Sequence, residues 1–386
     1  MQTEFRKDTA KDRAAVIDFA NYVFSHAHGS IDFPQNLPKL YGPDGGAGAD
    51  HLLACEDGQI KAMVGVFFDT VHISNQALRV GGIGTVSVHP YARGKGYMKT
   101  LMRMADEEMR AAGAQLSMLG GQRQRYQHFG YELGGARLSF RVTDKSLFHA
   151  CAGKTLPKLK LKLTPLTDAD VPFCRALYSA QPVHFAREQY PFADILRSWG
   201  CAAFVIRENG RPCGYLTRSW NAETVDELLL EREELLPAVM AAYLAQFGRQ
   251  ALNLTVQPWE TGRAALADEI SEDCTLSACE MFRVYDWAAV LGSLLSLKAA
   301  CRPLPDGVLT LDIGGELLEL AVRGGAPAVR RLQPGEASAA LTLEPQRALR
   351  LLCSPMGGYC PALCAACPAA DAWFPLPLGF SAQDGV

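Results

Sequence analysis

At 386 residues the chain is too long for one ordinary core, and 48% hydrophobic with 20% charged residues is the composition of a folded protein. A formal net charge of −3 gives no electrostatic argument for nucleic acid, and no apolar run approaches the length of a membrane span. The polar start MQTEFRKDTAKDR is no signal peptide, so the expectation is a soluble, cytoplasmic protein of two or three domains, with neither nucleic acid nor membrane as partner.

Residues 4 to 24 predict a short strand, a polar break and a helix. Asp8 or Thr9 is the N-cap, and Val16, Phe19, Ala20 and Val23 share one face. A stretch rich in Pro and Gly, from about His26 to Gly48, predicts a long substrate-facing loop. HLLACEDGQIKAMVGVFF predicts a hairpin turning at Asp57-Gly58, and a further strand is expected near His72 to Val80. Gly81-Gly82 then lead into GTVSVHPYARGKGYMKTL, residues 84 to 101. Here the apolar alternation Val86-Ser87-Val88 turns at His89-Pro90 and meets Arg93-Gly94-Lys95-Gly96 before a helix. Two glycines let the backbone approach a ligand, and free N–H groups at the helix start favour an anion beside two full positive charges. A bland surface turn with the same residues is the competing reading; the spacing is neither a dinucleotide-binding nor a P-loop pattern.

The next helix is expected from about Tyr97 to Ala112, with Leu101, Met102, Ala105 and Met109 on its apolar face and Gly113 after its end. AQLSMLG is a strand feeding GQRQRYQHFGYELGG. From Leu161 the order begins again: LKLTPLTDADVPFCRALYSAQ echoes the opening strand, cap and helix, and FVIRENGRPCGYLTRSW echoes the hairpin with Asn209-Gly210 as its turn. A helix from about Leu235 to Phe247 and the strand ALNLTV complete that unit, but nothing between Cys151 and Tyr285 repeats the basic glycine turn. The last hundred residues give a strand and helix in MFRVYDWAAVLGSLLSLKAACRP, two strands joined at Gly314-Gly315, and a strand and helix start in ALTLEPQRALRLLCS. Twelve cysteines are scattered along the chain and are expected as reduced, small apolar residues. Cys360, Cys364 and Cys367, with Cys353 upstream, resemble the iron–sulfur triad of radical SAM enzymes in spacing. They lie at the wrong end of the chain for it, so no metal site is expected.

The pattern V-x-V-x-P-x-x-R-x-x-G in residues 86 to 96 resembles the coenzyme A motif of the GNAT acetyltransferases. With a degenerate second unit and a tail similar to the sterol-carrier-protein fold, the whole chain resembles the Eis (enhanced intracellular survival) acetyltransferases. Arg125 to Tyr131, with its Y-x-x-F-G-Y, and Met281 to Asp286, with M-x-R-V-x-D, match two further motifs of that group. The resemblance implies an α/β (α+β) chain of tandem GNAT folds, the second degenerate, followed by a sterol-carrier-like unit. The divisions would be a GNAT domain at 1–150, a GNAT-like domain at 151–284 and the last domain at 285–386.

It also implies transfer of an acetyl group from acetyl-CoA to a primary amine of a small molecule, peptide or lysine side chain. Homo-oligomers, often hexamers, are the family's habit. By the same resemblance Val86, Ser87 and Val88 would meet the pantetheine, and Arg93, Gly94, Lys95, Gly96, Tyr97, Met98 and Lys99 the pyrophosphate. Gly121 and Gln122 stand where the family uses a Ser-Glu-like pair. Tyr126 would be the general acid for the departing thiolate; the competing reading packs it beside Phe129 and Tyr131. The base would be the terminal carboxylate, but PLPLGF is followed here by six more residues. Either Val386 supplies that carboxylate after a small loop, or another titrating group such as Glu56, Asp69 or His128 does. Asp32, Asp44 and Asp50 could line a cationic acceptor's path or be ordinary solvated charges. The alternative class is a carrier protein that binds an apolar ligand in its last domain.

Overall fold

The computed structural model describes residues 3–45, 50–150, 160–355 and 361–386. Its first sheet begins with β1 (Thr3–Lys7), β2 (His51–Glu56), β3 (Gln59–Ile73), β4 (Gln76–Val88), β5 (Leu116–Leu119) and β6 (Glu132–Gly134). Asp57 and Gly58 join β2 to β3 with φ of 48° and 81°, the doubly positive backbone of a two-residue hairpin turn. The stretch His72 to Val80 is not one strand: β3 turns into β4 at Ser74-Asn75 and the two pair along most of their length. That turn contains no glycine or proline, so the apolar alternation on either side reads as continuous.

Helix α1 (Arg13–His28) is entered through a capping box in which Thr9 and Asp12 hydrogen-bond reciprocally. The predicted long loop after it is corrected. Helix α1 runs through His26 to His28, and the short helices α2 (Phe33–Asn36) and α3 (Pro38–Tyr41) come next. Pro34 and Pro38 stand in their first turns, where a missing N–H costs nothing, so prolines that suggest a loop start helices instead. Phe33, Leu37, Leu40 and Tyr41 bury with Val16, Phe19 and Phe67 against one face of the sheet. The other face carries α4 (Tyr97–Ala111), whose Leu101, Met102, Ala105 and Met109 are buried as its periodicity predicts. Gly113, at φ 69°, lies just past its end. The short helix α5 (Arg123–Tyr126) comes after β5.

The second sheet takes β7 (Arg137–Thr143), β8 (Leu161–Pro165), β10 (Ala202–Glu208), β11 (Arg211–Arg218), β12 (Thr224–Leu230), β13 (Ala251–Val256) and β14 (Ser271–Ser277). The intervening β9 (Val183–Phe185) pairs instead with β3. Thr167 and Asp170 repeat the capping box ahead of the helix Val171–Ser179, and Asn209-Gly210 repeat the positive-φ turn. The first sheet reads β1-β2-β3-β4-β5-β15-β6, with β15 (Glu280–Val284), and the second, read backwards, β8-β10-β11-β12-β13-β7-β14. Both have one parallel contact at the same position, β4 with β5 and β12 with β13. The two units therefore share a topology but exchange a strand. Segment 137–143 leaves the first unit for the second sheet, and segment 280–284 returns to the first, across divisions expected at 150 and 284.

A third sheet, in the order β18-β17-β16-β19, consists of β16 (Gly307–Ile313), β17 (Glu316–Arg323), β18 (Ala326–Arg331) and β19 (Leu341–Leu343). The helix Trp287–Cys301, N-capped by the Asp286 carboxylate, buries Val290, Leu291 and Leu294 between this sheet and Val71, Leu78 and Leu116 of the first. The whole is a mixed α+β chain in which the third unit props the first sheet from behind.

Candidate functional site

The site originates in a mismatch of strand lengths. Parallel pairing of β4 with β5 runs only from Val80–Leu116 to Ile83–Leu119, yet β4 continues to Val88 while β5 stops and gives way to Gly120-Gly121. From Gly84 onward, then, the edge of β4 that faced β5 is released from that ladder. A register shift opposite Met63 and Gly65, with Thr85 at φ 47°, marks a bulge at the point of parting. Backbone N–H and C=O groups of Val86 and Val88 are thereby free of β5 and need partners. Ser87 offers nothing to this edge: its backbone faces Met63 of β3, and its buried hydroxyl donates to the Thr85 carbonyl.

At the end of this edge the chain turns into α4. Gly94 and Gly96 have φ of 82° and 81°, and a Cβ on either would meet nothing within 4 Å, so open space fronts the helix start. Arg93 and Lys99 are exposed, and Arg93 makes no ion pair among the described residues. Lys95 donates to Glu56 at 2.6 Å and Tyr97 also hydrogen-bonds to Glu56. Those donors hold the Glu56 carboxyl below its usual range, which occupies it at the cradle's flank. Tyr97 is buried against Phe5, and Met98 is half-buried beneath the first turn. The free backbone amides, the helix dipole and Arg93 suit a pyrophosphate.

The chain end reaches this cleft. A Cβ on Gly82 would collide with the Val386 side chain, and one on Gly84 would stand 2.9 Å from the Val386 carboxyl carbon. Two glycines of β4 thus make room for the terminal residue, and the terminal carboxylate lies against the strand just before the bulge. Beside it is a small pocket lined by Phe67, Phe68, Asp69, Gln189, Tyr190 and Val386, among others. Burial pushes the Asp69 carboxyl up to about 6, against the opposing N–H of Thr70. Asp50 is likewise raised, chiefly by burial. Asp32 and Asp44 do not line this cavity.

Tyr126 is 5% exposed, and burial raises its hydroxyl, with Arg125 opposing, so it stays protonated. Gly121, at φ 129°, allows the close approach: a Cβ there would be 3.0 Å from the Tyr126 ring. Gln122 is exposed at the start of α5, and His128 is exposed beyond it. The Glu280 carboxylate lies between Gly120 and Gly385, 3.5 Å from where a Gly120 Cβ would stand and 4.0 Å from that of Gly385. Burial pushes it up. Of the predicted residues, Val86 and Val88 lie on the released edge of β4, Arg93, Gly94 and Gly96 at the turn after it, Val386 against Gly82 and Gly84, and Tyr126 against Gly121. Sequence reasoning missed Glu280, Lys39 and Arg187, which come from remote segments; only the run Gly81-Gly82-Ile83-Gly84, too small for an ordinary strand, hinted at the incoming tail.

Of the cysteine cluster, Cys360 lies outside the described residues. The Cys364 thiol donates to Asp371, and Cys353 and Cys367 are buried. Among the described residues no group of three His, Cys, Asp or Glu side chains is placed to hold a metal ion, and no helix is long and apolar enough to cross a membrane.

Residues 4–134 match the family described as Acetyltransferase (GNAT) domain. Among solved structures, a GCN5-related N-acetyltransferase from Anabaena variabilis superposes with a TM-score of 0.68 at 15% identity, covering 98% of both chains. One from Kribbella flavida gives 0.63 at 17% identity and Eis1 from Mycobacterium abscessus 0.64 at 13%, each covering 100% of both chains. No curated protein matches the sequence. At such identities the structural likenesses establish the fold over the full chain; the domain match makes residues 4–134 a GNAT acetyltransferase domain, and with it the protein an acyltransferase that uses acetyl-CoA.

Proposed function

We propose that this protein acetylates a primary amine, with the thioester seated along the released edge of β4 and the Val386 carboxylate as proton acceptor. The observation that carries this reading is the chain end lying against Gly82 and Gly84, beside the part of β4 that no longer pairs with β5. An incoming ammonium must lose a proton before it can attack a carbonyl carbon. A carboxylate fixed at that edge can take the proton. Backbone N–H groups of β4 then face the oxygen on which charge develops. The Tyr126 hydroxyl, kept protonated by burial, supplies a proton to the departing thiolate. Arg93, Gly94, Gly96 and Lys99 hold the pyrophosphate. Lys95 joins them when it leaves Glu56.

The full-length likeness to Eis1 at low identity supports an Eis-like reading, with a first unit at 1–150, a second at 151–284 and a sterol-carrier-like third at 285–386, the exchanged strands β7 and β15 aside. A cytoplasmic homo-oligomer is part of the same reading.

Release of free coenzyme A from acetyl-CoA across a panel of amines tests the activity, and thermal protection tests donor binding. Tyr126→Phe is expected to lower kcat by roughly tenfold or more while leaving acetyl-CoA protection intact. Absence of binding at millimolar acetyl-CoA would overturn the reading, and unchanged turnover in Tyr126→Phe would remove that residue from the acid role.

A further inference from the structure

The second sheet has a splay of its own. Parallel pairing of β12 with β13 is confined to Thr224–Asn253 and Val225–Leu254, although β12 runs on to Leu230. The resulting gap holds a stretch of the chain's own tail. Only a small pocket remains there, lined by Glu227, Leu229, Gln257 and Trp259 together with Phe380 and Asp384. Phe380 is seated edge-on against Phe185 at 5.2 Å, and the Trp259 indole donates to the Gly379 carbonyl at 3.0 Å.

One buried cation locks this seat. Arg187, 2% exposed, donates to both Asp384 carboxylate oxygens at 2.7 and 3.1 Å and to both Glu227 oxygens at 3.1 and 2.7 Å. The Tyr178 ring lies 3.6 Å from the guanidinium carbon, and its hydroxyl donates to Asp384 at 3.1 Å. From the first unit, buried Lys39 on α3 donates to the carbonyls of Gln383 and Gly385 at 2.5 and 2.7 Å. Chain ends are ordinarily frayed. Two residues beyond Asp384 the chain can reach at most about 7 Å, so a clamp at Asp384 and Gly385 confines the terminal carboxylate to the neighbourhood of Gly84. A buried ion cluster of this kind contributes little net stability over apolar packing, which leaves placement as what it provides.

We propose that the second unit's splay is a tail-holding site, and that Arg187, Asp384 and Lys39 are positioning residues that set the Val386 carboxylate at the open edge of β4. The kinetic consequence rests on the acetyltransferase reading; the holding itself does not.

Asp384→Asn keeps the side-chain shape and removes the charge that Arg187 grips. Carboxypeptidase digestion followed by intact mass should leave Val386 in place in the wild type and release it at least tenfold faster from Asp384→Asn. In steady state the variant should lose tenfold or more in kcat with KM for acetyl-CoA changed less than twofold. One glycine added after Val386 should give a similar loss, and Asp384→Asn on top of that extension should cost nothing further. Release of Val386 from the wild type as fast as from an unfolded peptide overturns the proposal, as do wild-type kcat in Asp384→Asn or losses that multiply in the combined variant. If no amine is acetylated, the proposed acetyltransferase function fails while the digestion still decides whether the tail is held.

Discussion

In the first sheet β4 parts from β5 after Ile83, and in the second β12 parts from β13 after Val225; the same topology opens the same gap twice. The residues just past each strand decide what its gap can hold. After β4 come Arg93-Gly94-Lys95-Gly96 and α4, so an anion meets Arg93, left-handed glycines and free amides, with Lys95 held to Glu56 beside them. After β12 come Glu231-Arg232-Glu233-Glu234 ahead of the helix Leu236–Phe247, with no glycine and with carboxylates at the helix start. A pyrophosphate there would meet like charge where the helix would otherwise favour it. The second gap is filled from within the chain, by Phe380 to Asp384, around Arg187 and Glu227. A topology that makes a cleft does not make it a cofactor site. A handful of local residues does.

The largest effect that tests this contrast is on stability. Arg187→Ala leaves Asp384 and Glu227 as buried carboxylates without their shared cation, and should cost about 3–5 kcal/mol in denaturant unfolding. A midpoint equal to the wild type's would mean that the second gap is no sealed anchor. Next, Arg93→Ala should weaken acetyl-CoA binding about tenfold, the worth of one charge-assisted phosphate contact, while Arg232→Ala at the matching place in the second unit should leave it unchanged. Equal losses from both would erase the distinction between the two gaps.

The smallest effect is a pH dependence at the first gap's cavity. The folded-state carboxyl of Asp69 is raised to about 6, above its unfolded value, so the fold holds its proton more tightly. Stability from this group is complete below the unfolded value near 4 and is lost as pH rises towards about 6. Asp69→Asn should therefore raise Tm relative to the wild type above pH 6 and match it below pH 4. A Tm difference that does not change with pH would remove Asp69 from the buried wall.

Much of this was legible in order along the chain. The turns Asp57-Gly58 and Asn209-Gly210, the caps at Thr9 and Thr167, the buried face of α4 and the cradle glycines are local matters of backbone sign, hydrogen-bond spacing and helical period. The segment from His26 to Gly48 misled because proline serves loops and first helical turns alike, and only packing of Phe33, Leu37 and Leu40 against the sheet separates the two. The turn at Ser74-Asn75 was illegible because the alternation runs through it. Strand β15 reads correctly as a strand but not as a member of the first unit's sheet, since a strand's sequence does not name its neighbour, and β7 is not among the predicted strands.

By itself, then, the sequence determined the repeated unit, the single basic glycine turn and a tyrosine at Tyr126 with a motif around it, all carried by residues within a few positions of one another. The tertiary structure alone decided that β4 outruns β5 and that strands are exchanged between sheets. It also decided that Glu280 stands between Gly120 and Gly385, and that Val386 ends against Gly84 while Lys39 and Arg187, from two different segments, hold the residues before it. Those contacts join positions up to 346 residues apart. Close packing and the pairing of buried charge select them, and neither leaves a local pattern in the chain.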